Sequence, residues 1–532
     1  MKLLAALLAA FAVVLMSGCQ HDSPPPPPVA QFVILSGSEN KTLEPIVQEF
    51  AKSHNVAIHF DYRGSVDVMQ ALRADTIDAN AVWPANSLWI SMGDTKHRVK
   101  DSQSIMWSPV VLAVKQSKAK ALGWIGKKVT VNDVLNAAEA DHLKFMMTSA
   151  TQSNSGACAY LGFLYAFAGK PDMLTDENLT SKPVQAKIKR ILGQVNRSAG
   201  SSGWLKDLFL QKYSSYDAMF NYESLAIEAN QQLVARGDEP LQIVYPSDGL
   251  AIADSPLGYV DKGNEAQHTL FTELQQYLLS SQVQQRILAL GRRVGPVGAE
   301  LPGADKSVYN PAWGISLTHF LNQIKYPKAS VISDALDLYQ TAFRKPSYTV
   351  YVLDYSGSMG GDREKRLKAA MHSILDQATS RRNLLQAASG DVTRVIAFNN
   401  GIIGEWKVTG NNPSELAKLD AKLSDLAPGG GTDIYTPVIR AISRIQAEDA
   451  DGSRFPSVVL MTDGESNTGM SFADFHDTYQ RDAKEQDVPV YGILFGDASS
   501  EQLKQLSETT TGRMFDGTKD LAAAFREAKG YN

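Results

Sequence analysis

The stretch "TVYVLDYSGSMGG", residues 349–361, runs from an apolar β-like segment directly into a row of oxygen donors. Alternate residues of a strand and its following turn project the same way, so Asp354, Ser356 and Ser358 can converge on one point. One carboxylate and two hydroxyls are too few for a hard divalent cation, which takes about six oxygens. The stretch therefore predicts a metal site only if other loops bring further donors, and otherwise a polar turn.

Two later loops bring such donors. "PGGGTDIYTP", residues 428–437, lies between two predicted helices, and "VVLMTDGES", residues 458–466, ends a buried strand in an aspartate. Both loops are expected next to the end of the first strand. The predicted metal-ligating residues are Asp354, Ser356, Ser358, Thr432 and Asp463. We interpret Asp433 and Glu465 as loop residues that orient their neighbours.

The segment around these loops predicts one doubly wound α/β domain over residues 347–532. Strands such as "YTVYVLD" and "SVVLMTDG" are almost continuously apolar and alternate with amphipathic helices. Runs of this kind belong to a central parallel sheet that is covered on both faces. A length of about 185 residues suits a single domain of this class.

The motifs Asp-x-Ser-x-Ser, then Thr, then Asp, in this order, resemble the metal-ion-dependent adhesion site (MIDAS) of von Willebrand factor A-like domains. The resemblance implies that Ser356 and Ser358 ligate the ion directly, and Thr432 directly or through water. It implies that Asp354 and Asp463 hold coordinated waters, and that a protein partner's acidic side chain can fill an open position. Mg²⁺ is the expected ion on abundance, because these donors do not distinguish it from Mn²⁺ or Ca²⁺.

From residue 31 onward, the pattern of strand, small-residue turn and helix repeats four times. Such alternation predicts parallel sheets, in which ligands bind beyond the carboxyl ends of the strands. The turns are hydroxyl-rich and free of Lys: Ser36, Gly37 and Ser38; Gly64 and Ser65; Ser153, Asn154, Ser155 and Gly156; Asn221, Tyr222 and Glu223. Ser and Asn also cap helices in any α/β protein, and for a single turn that alternative stands.

This region, residues 31–300, resembles type II periplasmic solute-binding proteins, especially the group near the molybdate-type oxyanion binders. The resemblance rests on "LSGSEN", "YRGSVDVMQAL", "TSATQSNSGACAYL", "FNYESLAIE" and "YPSDGLAIADSPLGYV". It implies two α/β lobes around a cleft, joined by crossing strands at 109–114 and 249–260. Lobe one is then residues 31–108 and 255–300, and lobe two is residues 115–250.

The same resemblance assigns residues to the solute cleft. The candidate ligand-binding residues are Ser38, Ser65, Asn154, Ser155, Tyr222 and Glu223. No motif fixes the solute, and Glu223 fits an oxyanion site only if it orients a donor or lies outside the pocket. A neutral or cation-bearing organic solute, and a docking module without a small ligand, stay open.

The N-terminus indicates export. "MKLLAALLAAFAVVLMSGC", residues 1–19, has one early Lys, an apolar run and small residues, as a secretory signal does. Its end resembles a lipobox, which implies lipidation of Cys19; the alternative is a plain signal peptide with an incidental cysteine. Gln20 favours the outer membrane, facing the periplasm, if the cell is Gram-negative. Residues 20–30 form a Pro-rich linker, and residues 301–346 a connector with one helix.

Composition narrows the function. A net charge of -5 over 532 residues gives no reason to expect a nucleic-acid partner. Neither module shows a Ser/His/Asp or Cys/His arrangement, and we expect no enzyme. The expected function is a lipid-anchored extracytoplasmic binding protein that engages a protein partner through the metal and a small solute through the cleft. The alternatives are the receptor of an ABC importer for an oxyanion or small organic solute, and a metal-dependent hydrolase.

Overall fold

The computed structural model describes residues 30–75, 77–295, 301–315, 317, 323–482, 487–496, 500–518 and 521–530. The predicted signal peptide, the lipidation at Cys19, the linker up to residue 29 and parts of the connector lie outside these residues. No helix within the described ranges is both long enough and apolar enough to cross a membrane.

The described residues form strands in three sheets. The strands are β1 Ala30–Gly37, β2 Val56–Arg63, β3 Ala81–Trp83, β4 Val99–Ser104, β5 Ser108–Lys115, β6 Phe145–Thr148, β7 Val195–Ala199, β8 Ala218–Tyr222, β9 Leu241–Val244, β10 Ile252–Ala253, β11 Pro256–Val260, β12 Ser347–Asp354, β13 Val392–Phe398, β14 Ile402–Thr409, β15 Phe455–Thr462, β16 Val490–Leu494 and β17 Met514–Asp516.

Helices cover these sheets. They are α1 Glu44–Ser53, α2 Ser65–Ala74, α3 Ser87–Gly93, α4 Gln116–Ala121, α5 Val131–Glu139, α6 Asn154–Phe167, α7 Asp176–Thr180, α8 Lys182–Gly193, α9 Ser202–Gln211, α10 Glu223–Ala235, α11 Glu265–Leu279, α12 Ser281–Ala289, α13 Ala329–Leu338, α14 Asp362–Leu375, α15 Gln377–Arg382, α16 Pro413–Ser424, α17 Tyr435–Glu448, α18 Phe472–Asp482, α19 Ser500–Thr509 and α20 Leu521–Gly530. Short 3-10 turns at Ser38–Leu43, Pro311–Trp313 and Gly357–Met359, and a π turn at Tyr339–Phe343, complete the set.

Two of the sheets form the lobes of the first module. Lobe one has the strand order β2-β1-β3-β11-β4, and lobe two has the order β10-β5-β8-β6-β7, with β9 on β5. Both sheets are mixed, whereas the sequence pattern predicts parallel sheets. Strand β11 runs antiparallel to β3 and β4, and β5 runs antiparallel to β8 and β9. Strands β5 and β11 are each the first strand after the chain has passed from one lobe to the other. They therefore enter their sheets in the direction opposite to that of the neighbouring strands.

The passages between the lobes are short. The chain leaves the lobe-one sheet at Ser104 and enters the lobe-two sheet at Ser108, and it returns between Ala253 and Pro256. The run "PVVLAV", expected as a crossing strand, instead lies inside the lobe-two sheet. Its residues are buried and paired on both sides, as their apolar character allows.

The third sheet has the order β14-β13-β12-β15-β16-β17. Its central strand β12 is parallel to β13 and β15, and all eight of its residues are buried. The side chains of β12 alternate between two cores: Tyr351 and Leu353 join one, and Val350 and Val352 join the other. Only the edge strand β14 is antiparallel among the pairs that the structure describes in this sheet. The carboxyl ends of β12 and β15 therefore meet at one edge.

The C-terminal domain packs against lobe two. The core that contains Tyr351 and Leu353 continues into lobe two through Leu205 and Phe209. At this boundary the rings of Trp204 and Tyr491 lie edge to face, with centroids 6.4 Å apart. The two domains therefore share apolar surface rather than only a connecting segment.

Candidate functional site

Asp354 lies at the base of the candidate metal site, at the end of β12. Its Oδ1 accepts a hydrogen bond from the backbone N–H of Ser356 at 2.7 Å, and its Oδ2 accepts one from Thr462 Oγ1 at 2.6 Å. The side chain is fully buried. Burial raises the pKa of Asp354 above its usual range, and the nearby Asp463 carboxylate adds to this effect. A buried carboxylate of this kind is stabilised by a cation in front of it.

The other predicted donors lie around this carboxylate. Ser356 Oγ is 3.1 Å from Ser358 Oγ, and Ser358 Oγ donates to Asp463 Oδ1 at 2.8 Å. A Cβ placed on Gly464 would lie 3.6 Å from both Ser358 Oγ and Thr432 Oγ1, so these two hydroxyls face the same small space. The structure thus brings all five predicted residues together from three loops.

The donor set fits a hard divalent cation. Two carboxylates and three hydroxyls are all oxygen donors, the type that Mg²⁺ prefers, with water completing the coordination. Asp354, Ser356, Thr432 and Asp463 are buried, whereas Ser358 is exposed, so the site opens to solvent on the Ser358 side. Within the described ranges no group of three or more His, Cys, Asp and Glu could hold a metal ion, and the site therefore depends on its hydroxyls.

The loop that carries Thr432 is held by its neighbours. Thr432 N donates to Asn467 Oδ1 at 2.9 Å, and Asn467 N donates back to Thr432 O at 2.9 Å. Asp433 Oδ1 accepts from Thr436 N at 3.2 Å in the first turn of α17. This contact agrees with the interpretation of Asp433 as a loop-orienting residue. Glu465 is exposed.

One residue that the sequence reasoning missed reaches the metal site. Arg363, in the first turn of α14, donates through Nη1 to Asp463 Oδ2 at 2.6 Å and to Ser358 O at 3.4 Å. The signal in the sequence is a basic residue five positions after Ser358. Its approach to Asp463 depends on how α14 lies beside β15, which the motif does not specify.

The predicted cleft residues of lobe two form a hydroxyl cluster. Ser155 Oγ lies 2.8 Å from Thr148 Oγ1 and 2.8 Å from Ser202 Oγ, and Ser153 Oγ lies 3.0 Å from Ser202 Oγ. Asn154 Nδ2 donates to the hydroxyl of Tyr222 at 2.9 Å. These side chains are buried, and their polar groups bond to one another.

The predicted cleft residues of lobe one bond partly to lobe two. Ser38 Oγ accepts from the N–H of Gly203 at 3.0 Å, and Trp89 Nε1 donates to Asn154 Oδ1 at 2.7 Å. Ser65 Oγ stays within lobe one and accepts from Ala85 N at 3.0 Å. The lobes therefore contact each other directly across the cleft, which is closed at these positions.

Glu223 lies apart from the hydroxyl cluster. Its two oxygens accept from Arg293 Nε at 2.7 Å and Nη2 at 2.8 Å, and the hydroxyl of Tyr245 also donates to it. The carboxylate is thus committed to a buried ion pair. This position agrees with the alternative that Glu223 lies outside a pocket for an anion.

Two further residues in the cleft region were not anticipated. The Tyr326 hydroxyl donates to Ile252 O at 2.9 Å and accepts from Asn86 Nδ2 at 3.1 Å, so the connector lies against the passage between the lobes. Glu39, in the first cleft turn, is buried, and its Oε1 has no hydrogen-bond partner among the described residues. Burial raises the pKa of Glu39 to about 7. Tyr326 has no recognisable pattern around it, and Glu39 belongs to the quoted stretch "LSGSEN" but was not among the predicted cleft residues.

Comparison with known families agrees with this architecture. Residues 32–293 match the model of the bacterial extracellular solute-binding protein family, and residues 350–526 match the von Willebrand factor type A domain. The chain is therefore a binding protein that carries a solute-binding domain followed by a von Willebrand factor A (VWA) domain. The predicted solute-binding module and the predicted VWA domain are confirmed, whereas the metal site and the lipidation of Cys19 stay predictions. Neither match indicates an enzyme family, and the first supports an extracytoplasmic location.

Curated relatives share only part of their length with the chain. It is 27% identical over 182 residues to inter-alpha-trypsin inhibitor heavy chain H6 of Homo sapiens, covering 32% of this chain and 13% of that protein. It is 27% identical over 157 residues to heavy chain H3 of Mesocricetus auratus, covering 28% and 17%.

Comparison with solved structures finds periplasmic binding proteins at low identity and low TM-score. The sulfate-binding protein SubI of Mycobacterium tuberculosis H37Rv is 16% identical, with a TM-score of 0.40 over 57% of this chain and 96% of that chain. AfuA of Actinobacillus pleuropneumoniae, with fructose-6-phosphate bound, is 14% identical, with a TM-score of 0.41 over 57% and 93%.

Proposed function

We propose that this protein is a lipid-anchored, extracytoplasmic binding protein that uses a divalent cation in its VWA domain to engage a protein partner. The observation that carries the proposal is the convergence of Asp354, Ser356, Ser358, Thr432 and Asp463 at one sheet edge. Mg²⁺ is the expected ion, with Mn²⁺ or Ca²⁺ as alternatives. The exposed side of the site, at Ser358, leaves room for an acidic side chain of the partner.

The five residues of this site provide two kinds of oxygen donor. Asp354 and Asp463 supply negative charge from buried positions, and Ser356, Ser358 and Thr432 supply neutral oxygens. When bound, the cation provides a positive charge at the surface that a partner's carboxylate can approach. The loops around Thr432 and Asp463 hold the donors in place through Asn467 and Thr462. The arrangement supports binding of a partner rather than activation of water.

The metal proposal is tested by thermal unfolding with and without Mg²⁺. At a Mg²⁺ concentration 100 times the Kd, binding should stabilise the native state by about 2.7 kcal/mol. This corresponds to an increase in Tm of roughly 5–10 °C for a domain of this size. Ser356→Ala should lose the increase, whereas Ser443→Ala, an exposed serine on α17, should keep it. An equal increase in Ser356→Ala and the wild type would contradict the metal site.

We propose that the cleft between the lobes takes a small solute. The candidate contacts are Ser38, Ser65, Asn154, Ser155 and Tyr222, whereas Glu223 pairs with Arg293 outside them. The hydroxyl-rich lining supports a polar solute, and mass spectrometry of small molecules released from the purified protein would identify it. A role as the receptor of an ABC importer stays as the second candidate, because the solute-binding family match supports it.

We propose that lipidation of Cys19 anchors the protein to the membrane, in the outer membrane if the cell is Gram-negative. In cells fed a radiolabelled fatty acid, the wild-type chain should carry label and sediment with membranes. Cys19→Ser should lose both properties. Cys158→Ala is the matched control, because Cys158 is buried in lobe two and should not affect labelling. Retained label in Cys19→Ser would rule out this anchor.

A further inference from the structure

We propose that Arg363 is a built-in counter-cation of the VWA metal site, which neutralises Asp463 in the metal-free protein and weakens the binding of a divalent ion. The inference rests on the proposed metal site and goes beyond it. Arg363 is not one of the five donors. It lies in α14, whereas Asp463 follows β15.

The contact between Arg363 and Asp463 is close and involves one oxygen of the carboxylate. Arg363 Nη1 is 2.6 Å from Asp463 Oδ2, and the side chains are 31% and 0% exposed, respectively. The other carboxylate oxygen, Oδ1, accepts from Ser358 Oγ at 2.8 Å. Both oxygens of Asp463 are therefore engaged, one by a positive charge and one by a predicted metal-ligating hydroxyl.

The structure leaves a defined space for the guanidinium. Gly496 has a φ of +60°, and a Cβ built on it would lie 3.0 Å from Arg363 Cζ and Nε and 3.1 Å from Asp463 Cβ. A side chain at position 496 would press on both members of the pair. The segment after β16 therefore packs against both Arg363 and Asp463. Its glycine supports the interpretation that the fold accommodates this ion pair.

Electrostatics gives the direction of the effect. A divalent ion held by these donors would lie near the Arg363 guanidinium, because Arg363 already contacts the donor residue Asp463. Two like charges that are close together and partly shielded from solvent repel each other strongly. Asp354 and Asp463 also repel each other in the metal-free state, and Arg363 relieves that repulsion. Arg363 therefore stabilises the metal-free state and opposes the metal-bound one.

A purely structural role would have the opposite sign. If Arg363 only held Asp463 in its binding position, its removal would weaken Mg²⁺ binding. If Arg363 is a competing cation, its removal tightens Mg²⁺ binding, by about tenfold or more for a charge this close. The sign of the change in Kd therefore separates the two roles.

The experiment is isothermal titration of Mg²⁺ into the full chain, in the wild type, Arg363→Met and Arg363→Lys. We expect Arg363→Met to bind at least about tenfold more tightly. Arg363→Lys keeps the charge and should stay near the wild type. Arg382→Met is the control, because this exposed arginine of α15 carries the same charge elsewhere. Without Mg²⁺, Arg363→Met should melt at a lower temperature than Arg382→Met.

The outcomes separate this inference from the proposed function. Unchanged or weaker Mg²⁺ binding in Arg363→Met, with binding in the wild type, overturns the counter-cation role and leaves the metal site standing. Absence of Mg²⁺ binding in every variant and in the wild type overturns both. Tighter binding in both Arg363→Met and Arg382→Met would assign the effect to net charge and overturn a specific role of Arg363.

Discussion

Replacement of Arg293 by methionine is expected to lower the free energy of unfolding by about 3–5 kcal/mol. Arg293 and Glu223 are each 1% exposed and form a bidentate pair with bonds of 2.7 and 2.8 Å. Removing the guanidinium leaves the Glu223 carboxylate buried with the Tyr245 hydroxyl still donating to it. The backbone of Arg293 also pairs with Trp107, at the passage between the lobes. The loss should therefore loosen the junction of the two lobes.

Urea denaturation of the variants measures this effect. Arg286→Met is the matched control, because Arg286 forms a comparable bidentate pair with Glu49 at 39% and 53% exposure. An exposed pair of this kind contributes about 1 kcal/mol or less. The double variant Glu223→Gln/Arg293→Met should recover part of the loss, because no uncompensated charge stays buried. Equal losses in Arg293→Met and Arg286→Met would contradict the argument.

Glu527→Gln is expected to stabilise the protein at pH 8 and to have little effect near pH 5. Glu527 lies on α20 of the VWA domain, where the backbone carbonyls of Arg526 and Glu527 accept from Gln152 Nε2 at 3.0 and 3.3 Å. Burial raises the pKa of Glu527 to about 7, and the carboxylate of Asp67 on α2 adds to the shift. Arg63 and Arg513 oppose the shift, and Asp61 adds a smaller increase.

The sign follows from proton linkage. A carboxyl whose pKa is higher in the folded state than the unfolded value of 4.5 contributes stability at low pH. That contribution is lost as the pH rises from about 5 through 7, and it is on the order of 3 kcal/mol for a shift of this size. Glutamine does not ionise, so the variant should not suffer this loss. Burial also raises the pKa of Asp67, to about 6. In the Glu527→Gln variant, the free energy of unfolding should therefore still fall with rising pH, but by less than in the wild type.

The measurement is the free energy of unfolding of wild type and variant between pH 5 and pH 8. The difference between the two profiles isolates Glu527 from the other titrating groups. Glu508→Gln, on the exposed face of α19, serves as the control and should give a constant difference. A difference that does not change with pH for Glu527→Gln would contradict a raised pKa of the Glu527 carboxyl.

The candidate metal site was predictable because its donors follow strands directly. Asp354 and Asp463 end apolar runs, and parallel neighbouring strands bring such ends to one edge. Thr432 belongs to a glycine-rich loop between helices, and the order of the motifs placed it at the same edge. Each of these positions depends on local sequence and on a general property of parallel sheets.

Other features depend on contacts between distant segments, which local patterns do not encode. Glu223 follows the cleft residue Tyr222 in the sequence. Its carboxylate nevertheless forms an ion pair with Arg293, seventy positions further along the chain. Arg363 contacts Asp463 beside Gly496, where a Cβ would press on both side chains. The antiparallel strands β5 and β11 result from the passages between lobes, and their apolar residues look the same in either direction. The sequence patterns therefore predict the class of each domain, but they do not predict these ion pairs and strand directions.

The contact of Gln152 with α20 has a consequence for the order of assembly. Gln152 directly precedes the cleft turn that begins at Ser153. Its side-chain amide donates to the backbone carbonyl of Arg526, 374 positions later in the chain. During synthesis the N-terminal lobes are made before this acceptor. This hydrogen bond of the first module therefore forms only after α20 has been made, and a chain that ends before α20 would leave the Gln152 amide without its two carbonyl acceptors.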